Sequence, residues 1–289
     1  MPVMARSSVA VVTDSTACLP PLPATAAGGR LTVVPLAVVV NGVPGLETVD
    51  VDSATVAEAL NARRVAVTTS RPAPSAFSAV YRELLDSGAS GILSVHLSAK
   101  LSGTYEAACL AAAEFDGKVE VIDTQSTGMG LGFPALAAAD AAAAGADLAA
   151  VKAAAEDAAA RTTTLFYVDT LEFLRRGGRI GAAAALVGTA LSVKPILNAS
   201  EQGVVVREKV RTASRALARL VDIAVESAGD SDVDVAVHHL VAPDRADALL
   251  TTLKERLGER LRGAYLTEVG AVVGAHVGPG MVAVVVHRV

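Results

Sequence analysis

The chain has no tryptophan, and aromatic residues make up only 3% of its 289 positions. Few rings are therefore present on which nucleobases can stack. A net charge of −5 and a pI near 5.6 also remove the basic face that a general nucleic-acid binder needs. Two cysteines, Cys18 and Cys109, are too few for a disulfide framework in a chain this long, so both are expected to be reduced. No apolar run approaches the roughly 20 residues that cross a bilayer. Val33–Val40 and the stretch from Leu136 to Ala146, broken by Asp140, come nearest. The N-terminus carries Arg6 but lacks the long apolar core of a signal peptide, so a soluble, cytoplasmic protein is expected. Metal-ligand spacing is missing as well. His238 and His239 are adjacent on an expected strand and point to opposite faces, so no metal is expected. There is no P-loop, no G-x-S-x-G elbow and no HExxH.

What is abundant is small and apolar. The hydrophobic fraction is 52%, mostly Ala and Val, and the mean hydropathy is +0.46, which excludes a disordered chain. Ala-rich helices packed on Val-rich strands are the expectation. Strands are expected at Ser8–Val12, Leu31–Val40 (with Pro35 at an edge or bulge), Val65–Thr68, Gly91–Leu97 and Val119–Asp123. Between them fall helices at Asp52–Asn61, Ser75–Leu85, Thr104–Glu114, Pro134–Ala144 and Asp147–Ala160. Asn41-Gly42 reads as a turn and Thr124–Gly132 as a loop. This alternation predicts an α/β fold with a mostly parallel sheet and flanking helices, and ligands outside the carboxyl ends of its strands. Further along, strands are expected at Thr163–Asp169, Lys194–Ala199, Val204–Lys209, Val233–His239, Ala264–Val269 and Met281–His287. Helices at Ala182–Leu191, Arg215–Ala228 and Ala246–Leu257 would complete a second α/β domain. The boundary is set near residue 160, giving domains 1–160 and 161–289.

Five polar segments fall at expected strand ends. They are Thr13-Asp14-Ser15-Thr16, Thr68-Thr69-Ser70, Leu101-Ser102-Gly103-Thr104-Tyr105, Arg175–Ile180 and His276-Val277-Gly278-Pro279-Gly280. Any one of them alone reads as a loop that caps the next helix. Together with Leu171–Arg175, Lys194-Pro195-Ile196-Leu197 and Lys209-Val210-Arg211-Thr212, in that order, they resemble the DegV family. The Arg-Gly-Gly-Arg-Ile run and the later Gly270–Gly280 pattern are its most specific parts, and the resemblance runs from about Val9 to Val286.

The resemblance implies a two-domain fold with the ligand at the inter-domain cleft. It implies a protein that is not itself an enzyme and holds one long-chain fatty acid, tail buried and carboxylate at the cleft. It further implies a separate fatty acid kinase subunit as partner, with ATP held by that kinase and no cofactor here. The acyl phosphate would feed phospholipid synthesis. Transient membrane contact is allowed, and a monomer is the default. A buried carboxylate must be neutralised or richly hydrogen-bonded. By resemblance, Thr69 and Ser102 supply hydroxyl donors, Arg179 positive charge and His276 a further donor. Ser70, Ser98, Gly103 and Gly278 are weaker candidates in the same loops, and Arg211 is the kinase-docking arginine. The plainer readings stand beside these: capping hydroxyls, a structural arginine, a loop histidine, a solvated arginine before a helix. Two departures from the family pattern adjoin these loops. Arg71 stands where Gln is common, and Ala99 where Ser is common.

Two rivals remain at this level. One is a small-molecule enzyme using the same cleft, with Asp14 or Asp123 in acid–base or phosphoryl chemistry, or Ser102 as a nucleophile with His276 as its base. The other is a nucleotide binder built on Gly128-x-Gly130-x-Gly132, although that spacing is not G-x-G-x-x-G and tight packing accounts better for it.

Overall fold

The computed structural model describes residues 8–21, 31–62, 66–186 and 193–289. The first part of the chain forms β1 (Val9–Asp14), β2 (Leu31–Val34), β3 (Ala37–Val40), β4 (Val43–Leu46), α1 (Ser53–Asn61), β5 (Val67–Ser70), α2 (Pro74–Asp86), β6 (Gly91–His96), α3 (Thr104–Ala112), β7 (Val119–Asp123), α4 (Met129–Ala143) and α5 (Leu148–Ala160). β2, β1, β6 and β7 make a four-stranded, wholly parallel sheet in that order. Both faces of its central strands are covered, which is why β1 and β6 are buried along their whole length. Val9 and Val11 face α4 and α5, while Ala10 and Val12 face α2 and α3. The order of connection reverses between β1 and β6, so their carboxyl ends flank a crevice.

The expected strand Leu31–Val40 is two strands. β2 pairs with β1, but after Pro35 the chain leaves that sheet and β3 enters a small antiparallel one, ordered β4-β3-β5. Pro35 has no N–H for a ladder, and the next N–H, of Leu36, goes to Ser15 Oγ at 3.0 Å. Asn41 and Gly42, with φ of 51° and 81°, form the tight turn into β4. That strand escaped the sequence reading because Pro44 and Gly45 weaken its pattern; it survives as an edge strand. The strand expected at Val65–Thr68 runs from Val67 to Ser70, and Val65 lies outside the described residues.

The remainder forms β8 (Thr162–Tyr167), α6 (Glu172–Arg176), β9 (Lys194–Ser200), β10 (Gly203–Val210), α7 (Ala213–Ala228), β11 (Val233–His239), α8 (Pro243–Leu257), β12 (Leu261–Glu268), α9 (Ala271–Val277) and β13 (Val282–Arg288). A six-stranded sheet, β10-β9-β8-β13-β11-β12, is antiparallel except where β11 pairs with β12. α7 and α8 pack on one face of it. The molecule is thus a two-domain α/β protein. The small-residue helix expected at Ala182–Leu191 begins as a 3-10 turn, Gly181–Leu186, and its remainder lies outside the described residues. α9, expected as loop, is a helix. It returns to the first half of the chain, where Ala271, Val272 and Ala275 join the core of α4 and α5. Among the described residues no helix is long and apolar enough to cross a membrane.

Candidate functional site

The carboxyl ends of β1 and β6 meet α9 and the inner face of the six-stranded sheet around a cavity. It encloses about 820 Å³ not filled by protein atoms, part of it open to solvent. Its wall is largely apolar, with Leu97, Leu101, Phe166, Leu174, Val273 and Met281 among the lining side chains. A second, outer cleft of about 1710 Å³ is lined by polar groups including Thr68, Thr170, Glu172 and Arg176. Thr69, Arg179 and His276 line both spaces and so form the neck between them.

Each neck residue comes from a different element. Thr69 is the third residue of β5, and its hydroxyl lies 2.8 Å from His276 Nε2 on α9. Burial, together with the nearby Arg179 charge, pushes the His276 pKa down to about 4, so the ring is neutral at pH 7. Its Nδ1 is buried without a partner. The Nδ1 edge of the ring faces Gly177, where any Cβ would stand 2.2 Å from Nδ1, so only glycine fits there. Arg179 is half-buried and tethered. Its Nε donates to Leu101 O at 2.8 Å and one Nη to Gly177 O at 2.5 Å. Two of its donors are spent on backbone, which fixes where the charge sits. Ser102 faces the same cavity from the loop after β6. Its hydroxyl lies 2.8 Å from Thr104 Oγ1 and accepts the Thr104 N–H at 3.3 Å, so it also helps start α3. The capping role and the cavity-facing position coexist at this residue.

The other candidates lie off the cavity wall. Ser70 is exposed at the end of β5. Ser98 is buried in the turn after β6, where its hydroxyl accepts the Lys100 N–H at 3.2 Å. Gly103 passes beneath Arg71, whose Cδ would stand 3.0 Å from an added Cβ. Gly278 ends α9 at φ +74°, with Phe173 against it. Arg211 is exposed between β10 and α7.

Three further lining residues were not among the sequence's site candidates, although Thr16 lies in the first polar segment. Thr16 follows β1, Thr164 lies on β8 and His238 on β11. His238 is 1% exposed, and burial takes its pKa down to about 4. Its Nε2 accepts the Met129 N–H at 2.9 Å, and its Nδ1 pairs with Thr267 Oγ1 at 2.8 Å. This imidazole therefore starts α4 from across the molecule. The glycines before it are packing devices: a Cβ on Gly130 would stand 2.0 Å from Ser126 Oγ, and the N–H groups of a phosphate cradle would have to include the one His238 already holds. The enzyme reading meets a similar obstacle. Asp14 Oδ2 lies 2.9 Å from His96 Nδ1, and His96 Nε2 lies 2.7 Å from Ser94 Oγ, which has the order of a catalytic relay. Yet all three are fully buried, and Ser94 Oγ also accepts Tyr81 OH at 2.7 Å, so no substrate carbonyl reaches it. Asp123 is spent on the N–H groups of Ala99 and Gln125. Among the described residues no group of three or more His, Cys, Asp or Glu surrounds a common point.

Comparison with known proteins places this geometry. A family model described as "Uncharacterised protein, DegV family" matches residues 8–289. A DegV domain-containing protein of Streptomyces coelicolor is 52% identical over 278 residues, covering 96% of this chain and 98% of that protein. A solved DegV family protein from Thermus thermophilus, described by its fatty acid binding, superposes with a TM-score of 0.91 at 34% identity, over 98% of this chain and 100% of that one. DegV of Bacillus subtilis, described as a fatty acid binding protein, gives a TM-score of 0.87 at 29% identity, with the same coverage.

Proposed function

The chain belongs to the DegV family, and on that premise we propose that it binds one long-chain fatty acid and presents the carboxylate to a separate fatty acid kinase. The observation that carries this reading is the neck: a hydroxyl, a neutral imidazole and a tethered guanidinium divide an apolar cavity from a polar cleft. An amphiphile with one anionic end fits that division. Its carboxylate sits at the neck, held by Arg179, Thr69, His276 and Ser102, where a charge-assisted hydrogen bond is about twice as strong as a neutral one. Its tail lies in the cavity. About 15 buried methylenes at about 0.8 kcal/mol each give roughly 12 kcal/mol before the costs of binding. Phosphoryl transfer then takes place on the outer side of the neck, where a kinase has access. No catalytic group of this chain takes part. Arg211, with no ion pair among the described residues, lies ready for a partner's acidic group.

Solvent extraction of the purified protein followed by mass spectrometry is expected to yield near-stoichiometric long-chain fatty acid. A lipid-free extract, together with no uptake of added labelled palmitate, would sink the reading. Thr69→Ala with Ser102→Ala is expected to lower retention of labelled fatty acid at least tenfold. Unchanged retention in that double variant would remove the hydroxyl pair from the head-group site. Arg211→Glu is expected to leave retention intact and to lower acyl-phosphate formation when the kinase subunit and ATP are supplied. An emptied cavity in that variant would overturn the docking role.

A further inference from the structure

Glu47 is an acidic residue with 1% exposure, with no ion pair among the described residues and outside the cavity wall. Its Oε1 accepts the N–H of Val272 at 2.8 Å, in the first turn of α9, across 225 positions of sequence. Its Oε2 is buried with no partner. Burial raises its pKa, and the Ser15 side chain and the Val272 N–H pull it only part of the way back. A buried carboxyl group is costly unless it is hydrogen-bonded, and the Val272 N–H supplies such a bond to one of its two oxygens. Gly270, just before α9, makes room for it: an added Cβ would stand 2.1 Å from Oε1 and 2.7 Å from Cδ. Gly270 has φ −69°, which any residue adopts, so close approach by Glu47 is what calls for glycine.

Two further links run from Glu47 toward the neck. Its own N–H donates to Leu36 O at 2.8 Å, at the entry to β3, and β3 pairs Val38 with Thr69 of β5. On α9, His276 follows Val272 by one helical turn and so lies on the same face. The small sheet that carries Thr69 and the helix that carries His276 are therefore joined at Glu47 as well as at the Thr69–His276 bond.

We propose that Glu47 and Gly270 form a positioning pair that sets the register of α9 against the β4-β3-β5 sheet, so that Thr69 and His276 meet at the neck. The inference rests on the fatty-acid reading for its affinity arm only. Glu47→Ala is expected to weaken labelled fatty-acid binding about tenfold, whereas Glu47→Gln, which keeps an acceptor for Val272, stays within threefold of wild type. Gly270→Ala alone is expected to weaken binding about tenfold by driving the carboxylate away. In Glu47→Ala/Gly270→Ala the clash is gone, because the three atoms nearest the added Cβ all belong to Glu47, and the double variant binds no more weakly than Glu47→Ala. Such non-additivity is the mark of direct contact. The second arm needs no ligand. In ¹H–¹⁵N spectra of the histidine rings, the His276 Nε2 signal is expected to shift in Glu47→Ala as it does in Thr69→Ala, and to keep its wild-type position in Glu47→Gln. If wild type takes up no fatty acid, the fatty-acid reading fails while the ring signals still test the pair. If Glu47→Ala lowers Tm but leaves both the ring signal and the affinity below Tm unchanged, the residue is merely structural and the proposal is overturned. Additive losses in the double variant overturn it too.

Discussion

Two contrasting kinds of capped helix start occur in this molecule, and they lie in different places. α1, α5 and α7 open with a local cap: Asp52 accepts Thr55 N–H at 2.8 Å, Asp147 accepts Ala150 N–H at 2.9 Å, and Thr212 accepts Arg215 N–H at 3.3 Å. α4 and α9 open after a glycine with no local cap, and each receives one from a distant part of the chain, His238 for α4 and Glu47 for α9. None of these three locally capped helices contributes a residue to the cavity wall. The remotely capped ones bound it: Gly128 precedes α4, and Val272, Val273, His276 and Val277 belong to α9. A local cap acts before tertiary structure forms, whereas a remote cap acts only once the two halves of the chain have met. The cavity is therefore framed by the elements whose starts depend on that meeting.

The largest expected effect comes from removing a remote cap. His238→Ala leaves the Met129 N–H and the Thr267 hydroxyl without their partner and opens a void at a 1% exposed site. A loss of about 3 kcal/mol in chemical denaturation is expected. A loss below about 1 kcal/mol, the size of a local cap, would erase the distinction between remote and local caps.

Next comes acid. The pKa of His238 falls from 6.5 to about 4 on folding, so between those values the unfolded chain binds the proton that the folded one refuses. Stability from this group is fully present above pH 6.5 and is lost as pH falls toward 4, by up to roughly 3 kcal/mol. His276 and His287 shift in the same direction and add to the slope. Wild-type stability is thus expected to decline between pH 6.5 and 4, and His238→Gln to decline less steeply. Equal slopes for the two proteins would show that His238 does not carry its share. By contrast Asp52→Ala and Asp147→Ala are each expected to cost about 1 kcal/mol, with fatty-acid retention unchanged.

The same contrast explains what was legible in the sequence. β1, β6, β7 and the helices between them follow local patterns, and so does the start of α1 at Asp52. Thr69, Ser102, Arg179 and His276 were marked by motif, and the chain brings all four to one cavity. Glu47 and His238 carry no such mark. Glu47 follows a weak edge strand, His238 sits mid-strand beside His239, and the helix N–H groups they hold are 225 and 109 positions away. The only local traces are Gly270 and Gly128, where a glycine stands in place of a capping side chain. α9 itself was hidden for that reason: without a Ser, Thr or Asp before it, seven residues between glycines read as loop. The split of Leu31–Val40 was signalled by Pro35, but which sheet each half joins depends on residues far away.

The smallest effect is also the most useful control. Thr212 is exposed and its bond to the Arg215 N–H is long at 3.3 Å, so Thr212→Ala is expected to cost about 0.5 kcal/mol, the low end for a cap. It neighbours Arg211, whose proposed role is contact with a kinase. If Arg211 acts through its charge, Thr212→Ala leaves both lipid retention and acyl-phosphate formation at wild-type levels, while Arg211→Glu lowers the second alone. If Arg211 matters only because it sits at the start of α7, the two variants fall together in the phosphorylation assay at matched stability. A local cap would then have the functional reach that distinguishes the remote ones.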